Sequence, residues 1–135
     1  MKHLLLLTLS LLFMVLSYSQ TIRASNYTTK YTINSDGTIR NSSYSTVGYI
    51  KSNGSIQNGS YQTIGYLKDD GRVQNASYST VGYIKEDGRV QNGSYSTIGY
   101  VKKDGTVQNG SYSTIGHASG VKKEWAAIVF FFFDF

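Results

Sequence analysis

The sequence predicts an all-β fold: a closed, symmetric antiparallel barrel of five 17-residue β-hairpin repeats, about ten short strands, around a hydrophobic C-terminal segment. Three observations lead to this prediction. Two glycine series, one after Asp or Asn and one after Val or Ile, recur every 17 residues, and a tyrosine series keeps the same spacing. Turn residues separate short segments rich in β-branched and aromatic side chains in each repeat. The chain then ends in an almost wholly apolar run.

Residues 1–19 are predicted to be a secretory signal peptide. Lys2 gives a basic start, residues 4–16 are mostly apolar, and Ser17-Tyr18-Ser19 has the small-x-small form of a cleavage site. An uncleaved membrane anchor is the alternative, but the apolar run is shorter than the roughly 20 residues that a spanning helix needs. We therefore expect export by a signal peptide, to the periplasm, the outer surface or the medium.

The exported chain is expected to be mildly basic and has no cysteine. Of the 13 Lys and Arg residues cleavage removes only Lys2, which leaves 12 against 8 acidic residues and a net charge of +4. This excess is spread along the repeats, which argues against a nucleic-acid partner. Because no disulfide can form, hydrogen bonds and packing must hold the fold together.

The Asp-Gly turn of the fourth repeat is predicted to be a three-residue loop that ends at Gly88. In this loop Gly88 takes the left-handed bulge position, which glycine occupies without strain. The loop pairs Lys85 with Arg89 and Ile84 with Val90. A two-residue loop would pair apolar with polar side chains on both faces. The longer loop is therefore favoured.

The next connection, Asn92-Gly93, is predicted to be a two-residue hairpin turn. The two turns together assign the interior face to Ile84, Val90, Tyr95, Thr97, Gly99 and Val101. The opposite face is mixed, because it contains Ile98 and Tyr100 among polar residues. Either the strand bends at Gly99 and turns these two side chains into a second small cluster, or a partly exposed apolar band rings the molecule.

The hydrophobic tail (residues 121–135) is predicted to fill the centre of the barrel formed by residues 20–120. Its last eleven residues are apolar at all but one position and show no amphipathic stripe, which is typical of a helix that is surrounded on every side. The predicted plug residues are Trp125, Ile128, Val129, Phe130, Phe131, Phe132, Phe133 and Phe135. Insertion of the tail into a membrane surface and its addition as a β-rich edge segment remain as alternatives.

These features carry a family resemblance. A signal peptide, five units of the form Gly-Tyr-Ile-Lys-x-Asp-Gly-x-Val-Gln-Asn-Gly-Ser-Tyr-Ser-Thr-Ile and an aromatic tail resemble the bacterial five-fold β-flower proteins. The resemblance implies a shallow symmetric barrel around a hydrophobic centre, broadly similar to the Tubby C-terminal domain, whose relatives bind membrane phosphoinositides. It implies no established activity. The sequence departs from the pattern at Tyr31 in the first glycine position, at Asn53 in place of Asp and at His117 in place of Tyr.

The sequence predicts a non-enzymatic structural or interaction protein, with no catalytic, cofactor-binding or metal-binding residues. After cleavage His117 is the one remaining histidine, and the Asp residues stand where turns favour them. The sequence does not identify the partner, and envelope lipid is one candidate. The alternative is a glycan bound by four periodic tyrosines, predicted to be exposed: Tyr49, Tyr66, Tyr83 and Tyr100. A curli-like fibre subunit is a lesser alternative, suggested by the recurring Gln-Asn-Gly-Ser phrase.

Overall fold

The computed structural model describes residues 20–135, and the predicted signal peptide lies outside this range. Twelve short strands follow one another in a closed antiparallel barrel in which sequence neighbours pair throughout. The strands are β1 (Thr21–Ala24), β2 (Thr29–Ile33), β3 (Thr38–Asn41), β4 (Thr46–Ile50), β5 (Ser55–Asn58), β6 (Thr63–Leu67), β7 (Arg72–Asn75), β8 (Thr80–Ile84), β9 (Arg89–Asn92), β10 (Thr97–Val101), β11 (Thr106–Asn109) and β12 (Thr114–Ser119).

The barrel closes between its first and last strands. β1 pairs antiparallel with β12, with Thr21 opposite Ser119 and Ala24 opposite Gly116. The prediction of ten strands is therefore wrong. Strands β3 to β12 are ten in number, and the residues before them supply β1 and β2, which complete the ring. Closure gives every strand two neighbours and leaves no open sheet edge for another chain to pair with.

The Asp-Gly loops have the predicted geometry. Gly88 N–H donates to the Lys85 carbonyl at 3.0 Å, and Lys85 N–H donates to the Arg89 carbonyl at 2.8 Å. Ile84 lies opposite Val90. Five such glycine turns form one end of the barrel, and their glycines have φ between 89° and 94°: Gly37, Gly54, Gly71, Gly88 and Gly105. The left-handed backbone explains why glycine recurs at these positions.

The predicted two-residue Asn92-Gly93 turn is wrong. The loop has three residues, because Asn92 N–H donates to the Ser96 carbonyl at 2.9 Å and Tyr95 N–H donates to the Asn92 carbonyl at 3.1 Å. Tyr95 therefore takes the left-handed position, with φ of 66°. Its side chain is 66% exposed, so its predicted place on the interior face is also wrong.

A bulge near Ile98 resolves the mixed face of β10. The register with β9 shifts between Thr97 and Gly99, so that Thr97 lies opposite Gln91 while Gly99 lies opposite Val90. The bulge lets Ile98 pack partly buried against the core. The irregularity thus lies at the residue before Gly99. A local change in the strand, rather than an exposed apolar band, explains why an apolar side chain stands at Ile98.

The tail enters the barrel as a short helix. α1 (Lys123–Ala127) continues into a π-helical turn (Ile128–Phe132), and the chain is extended at Phe133. Ala126, Ala127 and Ile128 are completely buried and share one core with the inward side chains of the strands. Small and branched side chains at these three positions allow the helix to fit among the strands.

Five glycines at mid-strand contact the five phenylalanine rings of the tail. A Cβ placed at any of them would overlap the facing ring. The contacts are Gly116 with Phe130, Gly99 with Phe131, Gly82 with Phe132, Gly65 with Phe133 and Gly48 with Phe135. The order is reversed: the first phenylalanine of the tail, Phe130, contacts the last of these glycines, Gly116, and the last phenylalanine, Phe135, contacts the first, Gly48. Each ring occupies the space that a side chain would otherwise fill.

The sixth mid-strand position holds Tyr31, which departs from glycine in the sequence pattern. Its hydroxyl donates to the Phe135 backbone oxygen at 3.0 Å, and its ring packs against the core. Five positions therefore accept a ring from the tail, and the sixth supplies a ring of its own. This arrangement fixes the end of the tail to β2.

Gly99→Ala is expected to lower the free energy of unfolding by about 1–3 kcal/mol, because the added methyl group overlaps the Phe131 ring and the Gln108 carbonyl. Gly93→Ala is the matched control, since Ala76 already occupies the equivalent turn position in another repeat. Denaturant unfolding of both variants checks the expectation. Equal stability losses in the two variants would contradict the tight glycine–phenylalanine fit.

Candidate functional site

Six tyrosine turns form the end of the barrel opposite the glycine turns, which we call the tyrosine end. In the β9–β10 turn the side-chain Oδ1 of Asn92 accepts hydrogen bonds from the backbone N–H groups of Ser94 and Ser96, at 2.9 and 3.1 Å. These bonds hold the loop in shape from within. The tyrosine of each turn then projects from a fixed backbone: Tyr27, Tyr44, Tyr61, Tyr78, Tyr95 and Tyr112.

All six turn tyrosines have a left-handed backbone and a highly exposed ring. Their φ angles lie between 63° and 68°, where a bulky L residue carries strain on the order of 1 kcal/mol. Their side chains are 63–78% exposed. Glycine or asparagine would fit this backbone better. Local folding therefore does not favour tyrosine here, and its ring must be retained for its contacts or for its surface.

Four turn tyrosines stack on a strand tyrosine of the preceding hairpin. The ring centroids lie 4.6–5.0 Å apart and the ring planes are within 13–15° of parallel. The pairs are Tyr49 with Tyr61, Tyr66 with Tyr78, Tyr83 with Tyr95 and Tyr100 with Tyr112. In the last three pairs the hydroxyl groups are hydrogen bonded at 3.0–3.1 Å. Each pair ties a turn to the neighbouring hairpin.

The strand tyrosines predicted to face a ligand are thus half-buried, and the turn tyrosines cover them. The structure instead makes the turn tyrosines the most exposed aromatic side chains. The sequence signal for them was the tyrosine three residues after each turn asparagine, such as Tyr95 after Asn92. It was missed because Asn-Gly usually indicates a shorter loop.

Two turn tyrosines differ from the other four. Tyr27 stacks on His117, at 4.1 Å between centroids and 9° between planes, so the histidine takes the place of the strand tyrosine. Within residues 20–135 no aromatic ring stacks on Tyr44, because Thr32 stands at the equivalent strand position. Tyr44 is also the most exposed of the six, at 78%. The chain therefore keeps tyrosine at this turn even where no stacking partner is present.

The two ends of the barrel differ in charge. In the six tyrosine turns the residues between the strands include no Lys, Arg, Asp, Glu or His, and most are Ser, Gly, Thr or Tyr. The opposite end, which we call the charged end, carries Lys and Asp or Glu in its loops, as in Lys85-Glu86-Asp87. α1 begins at the charged end, where Lys123 Nζ donates to the Glu86 carbonyl at 2.7 Å. The loops of the tyrosine end therefore form an uncharged, hydroxyl-rich and aromatic rim. Charged side chains approach the strand tyrosines below this rim, as the Lys51 ammonium lies 5.8 Å from the centroid of the Tyr49 ring.

A scan against protein-family models matches residues 19–134 to the family described as 5-fold beta-flower protein. The chain belongs to the five-fold β-flower family. A search of the curated proteins and a search of the solved structures found no match. The predicted family and the predicted closed antiparallel β-barrel are thus confirmed. This β-flower has five glycine turns, and closure through β1 adds a sixth tyrosine turn.

The plug residues of this β-flower are divided between core and surface. Ile128 is completely buried, whereas Trp125, Val129 and the phenylalanine rings are partly exposed and pack against the core. The Lys122 ammonium lies 4.8 Å from the centroid of the Trp125 ring, near the charged end. The phenylalanines follow α1 into the barrel, and four of the glycines that they contact lie opposite the asparagine before a tyrosine turn, as Gly99 lies opposite Asn109.

A groove of about 840 Å³ runs beside the seam between β1 and β12, from the charged loops to Tyr27 and His117. Acidic and basic residues line it together, among them Asp87 and Lys102. Lys123 also lies 3.6 Å from the Glu124 carboxylate. The mixture of signs gives the groove no preference for a charged ligand. In residues 20–135 no group of three or more His, Asp or Glu side chains could hold a metal ion.

The described part of the β-flower contains no helix that is both long enough and apolar enough to cross a membrane.

Hydrogen bonds shift the pKa of a tyrosine at the tyrosine end and of an aspartate at the charged end. The hydrogen bond with Tyr95, and secondarily partial burial, raises the pKa of the Tyr83 phenol above its usual value of 10.0. The backbone N–H of Arg89 holds the pKa of Asp87 below its usual value of 3.8. The neutral phenol and the charged carboxylate are thus the forms that the fold favours.

Stability is expected to fall at both extremes of pH. The raised tyrosine pKa stabilises the fold below about pH 10, and this contribution is lost as the pH rises through the folded-state pKa. The lowered Asp87 pKa stabilises the fold above about pH 4, and this contribution is lost as the pH falls through the folded-state pKa. Thermal unfolding across pH, with tyrosinate absorbance, measures both. Tyr83→Phe should weaken only the alkaline loss, and an unchanged alkaline limb would contradict the assignment.

Two substitutions to asparagine separate backbone strain from ring stacking. Tyr44→Asn is expected to raise the free energy of unfolding by up to about 1 kcal/mol, because asparagine tolerates the left-handed backbone and no stacked ring is lost. Tyr95→Asn relieves the same strain but loses the stack on Tyr83, worth about 0.5–1.5 kcal/mol, so its net change should be smaller or negative. Denaturant unfolding compares the two. An equal gain in both variants would show that the stack adds no stability.

Proposed function

We propose that this β-flower is a non-enzymatic exported interaction protein that binds neutral glycans of the cell wall or extracellular matrix through the tyrosine end. The observation that carries the proposal is the separation of charge: six exposed tyrosines stand among hydroxyl groups at an end whose loops have no ionisable side chain other than tyrosine. Export rests on the signal peptide predicted for residues 1–19.

The surface chemistry of the tyrosine end suits sugars. A sugar ring has an apolar face that stacks on an aromatic side chain, and its hydroxyl groups need hydrogen-bond partners. In the β9–β10 turn, Ser94 and Ser96 are exposed on either side of Tyr95, so an apolar platform and polar partners lie side by side. The absence of charged loop residues matches a ligand that has no charge.

The strain at the turn tyrosines supports a role for the ring surface. A stacking partner explains tyrosine at Tyr95, but it does not explain Tyr44, which is exposed and unstacked. A residue that is kept in an unfavourable backbone conformation is a candidate for function. The same ring at all six turns provides a repeated platform instead of one pocket.

The repetition of the turn tyrosines compensates for the low sugar affinity expected of a single ring. A single exposed aromatic ring contributes little binding energy, but six rings around one rim can engage several units of one polymer. When one ring is bound, the next acts at a high effective concentration. The barrel fixes the spacing of the rings, so a repetitive polymer is a better ligand than a free monosaccharide.

Envelope lipid is the second candidate partner, and one observation favours it. The phenylalanine rings of the tail are partly exposed, and they contact glycines that lie opposite the asparagine before a tyrosine turn, as Gly99 lies opposite Asn109. This places apolar rings close to the tyrosine turns. Tyrosine is enriched at membrane interfaces. The loops at this end lack Lys and Arg, however, so anionic lipid gains no electrostatic attraction there.

A sedimentation assay with chitin and β-glucan particles tests the proposal. The wild-type protein should sediment with at least one of them, and the triple variant Tyr44→Asn, Tyr78→Asn and Tyr95→Asn should bind at least about tenfold more weakly, because each lost ring removes about 1 kcal/mol of stacking. Asparagine suits the left-handed turns, so the fold should persist. Lys85→Gln, at the charged end, is the control and should bind normally.

Three results would overturn glycan binding. These are no sedimentation with either polysaccharide, equal weakening in the lysine control, and undiminished binding by the triple variant. Vesicles of neutral phosphatidylcholine form the parallel arm. Binding to vesicles but not to polysaccharide, again dependent on the tyrosines, would support the lipid candidate instead.

A further inference from the structure

We propose that the four stacked tyrosine pairs are sites of oxidative cross-linking, at which peroxide and a peroxidase join the two rings of a pair as dityrosine. The pairs are Tyr49 with Tyr61, Tyr66 with Tyr78, Tyr83 with Tyr95 and Tyr100 with Tyr112. This modification is independent of sugar binding, because it concerns the inner faces of the rings. It would give a cysteine-free chain the covalent links that disulfides give other exported proteins.

The geometry places the reacting atoms together before any oxidation occurs. The rings of Tyr83 and Tyr95 are nearly parallel, with centroids 4.6 Å apart and hydroxyl oxygens 3.0 Å apart. The ortho carbons of the two phenols, which lie beside the hydroxyl-bearing carbons, are therefore held close to one another. Such positioning raises the rate of a coupling between two groups far above that of a random encounter.

The reaction balances with one equivalent of hydrogen peroxide for each pair. Each phenol gives up one electron and its hydroxyl proton to form a phenoxyl radical, whose unpaired electron is shared with the ortho carbons. Two ortho carbons form a carbon–carbon bond, and the hydrogen of each moves as a proton to restore the phenol. The pair has then lost two hydrogen atoms, and the peroxide has become two molecules of water.

Access and rigidity both favour coupling within one molecule. The turn members of the four pairs are 66–68% exposed, so an oxidant reaches them without unfolding. The loop that carries Tyr95 is held by the Asn92 side chain. A radical on the turn ring therefore meets its neighbour in the same barrel before it meets another protein molecule, provided that the solution is dilute.

The cross-links would connect the hairpins in series. Each pair joins a strand of one hairpin to the turn of the next, as Tyr83 in β8 is joined to Tyr95 between β9 and β10. Four such links run from β4 to the turn before β12. A covalent link of this kind restricts the unfolded chain and so raises resistance to unfolding.

Two turns in the same chain serve as internal controls. Tyr27 stacks on His117, which cannot form dityrosine. In the described residues Tyr44 has no stacked aromatic partner, although it is the most exposed turn tyrosine, at 78%. If exposure alone governed oxidation, Tyr44 would couple first. If stacking governs it, the four pairs couple within the molecule and Tyr44 does not.

The test is limited oxidation of the dilute protein with hydrogen peroxide and a haem peroxidase. Dityrosine fluorescence reports coupling, size-exclusion chromatography isolates the monomer, and mass spectrometry of its peptides identifies the joined residues. We expect the monomer to contain peptides joined at the four pairs, each lacking two hydrogen atoms, and to unfold at a higher temperature than the unoxidised protein.

Tyr83→Phe sharpens the test, because phenylalanine keeps the stacked ring but cannot form a phenoxyl radical. The peptide that joins Tyr83 to Tyr95 should disappear, while the other three joined peptides persist and show that the barrel is intact. Three outcomes would overturn the proposal: coupling only between molecules, intramolecular coupling of Tyr44 as frequent as that of the pairs, and no dityrosine at all.

Discussion

The contact between five mid-strand glycines and the five phenylalanines of the tail is the constraint on which the rest of the structure depends. At Gly99 a single methyl group would overlap the Phe131 ring, so neither partner can change size alone. The fit explains the fixed period, because an insertion in any repeat would move its glycine away from its ring. It also explains why the number of phenylalanines in the tail matches the number of mid-strand glycines. Barrel and tail are thus complementary parts of one core.

The contacts between the five mid-strand glycines and the five tail phenylalanines form a central hub. This hub holds the barrel together, so the turns at its two ends can differ in chemistry. At the charged end, glycines take the left-handed turn positions without strain, and Lys123 at the start of α1 donates to the Glu86 carbonyl. At the tyrosine end, a strained residue takes the corresponding position in all six turns, and its ring is exposed. In four of these turns the ring stacks on a tyrosine of a neighbouring hairpin. The stability that this strain removes is compensated by burial in the hub. Both proposed roles of the exposed tyrosines, sugar stacking and oxidative coupling, therefore concern turn positions whose backbone does not favour tyrosine.

The sequence was a good guide wherever a local rule decided the structure. The Gly88 turn followed from face pairing and from the preference of glycine for left-handed backbone, and closure followed from the regular repeats. The count of strands was wrong because β1 precedes the recognisable repeat and is defined by pairing with β12. Local spacing contains no information about that distant partner.

The tyrosine turns were missed for a different physical reason. Asn92-Gly93 normally predicts a two-residue turn, but the Asn92 side-chain Oδ1 accepts hydrogen bonds from the backbone N–H groups of Ser94 and Ser96, which stabilises a three-residue loop. This loop is reinforced by the stack of Tyr95 on Tyr83 of another hairpin. That contact is tertiary, so propensity alone cannot reveal it. The same limit applies to the hub. The glycine series and the aromatic tail were both visible in the sequence, but their one-to-one pairing requires the curvature of the closed barrel.

Nuclear Overhauser effects between glycine α-protons and phenylalanine ring protons measure the hub contacts directly. The structure predicts five sets of cross-peaks in solution, one for each glycine from Gly48 to Gly116 with its own ring of the tail, in the reverse order described above. The absence of cross-peaks between the phenylalanine rings and these glycines, or cross-peaks in a different order, would contradict a barrel organised around its own tail.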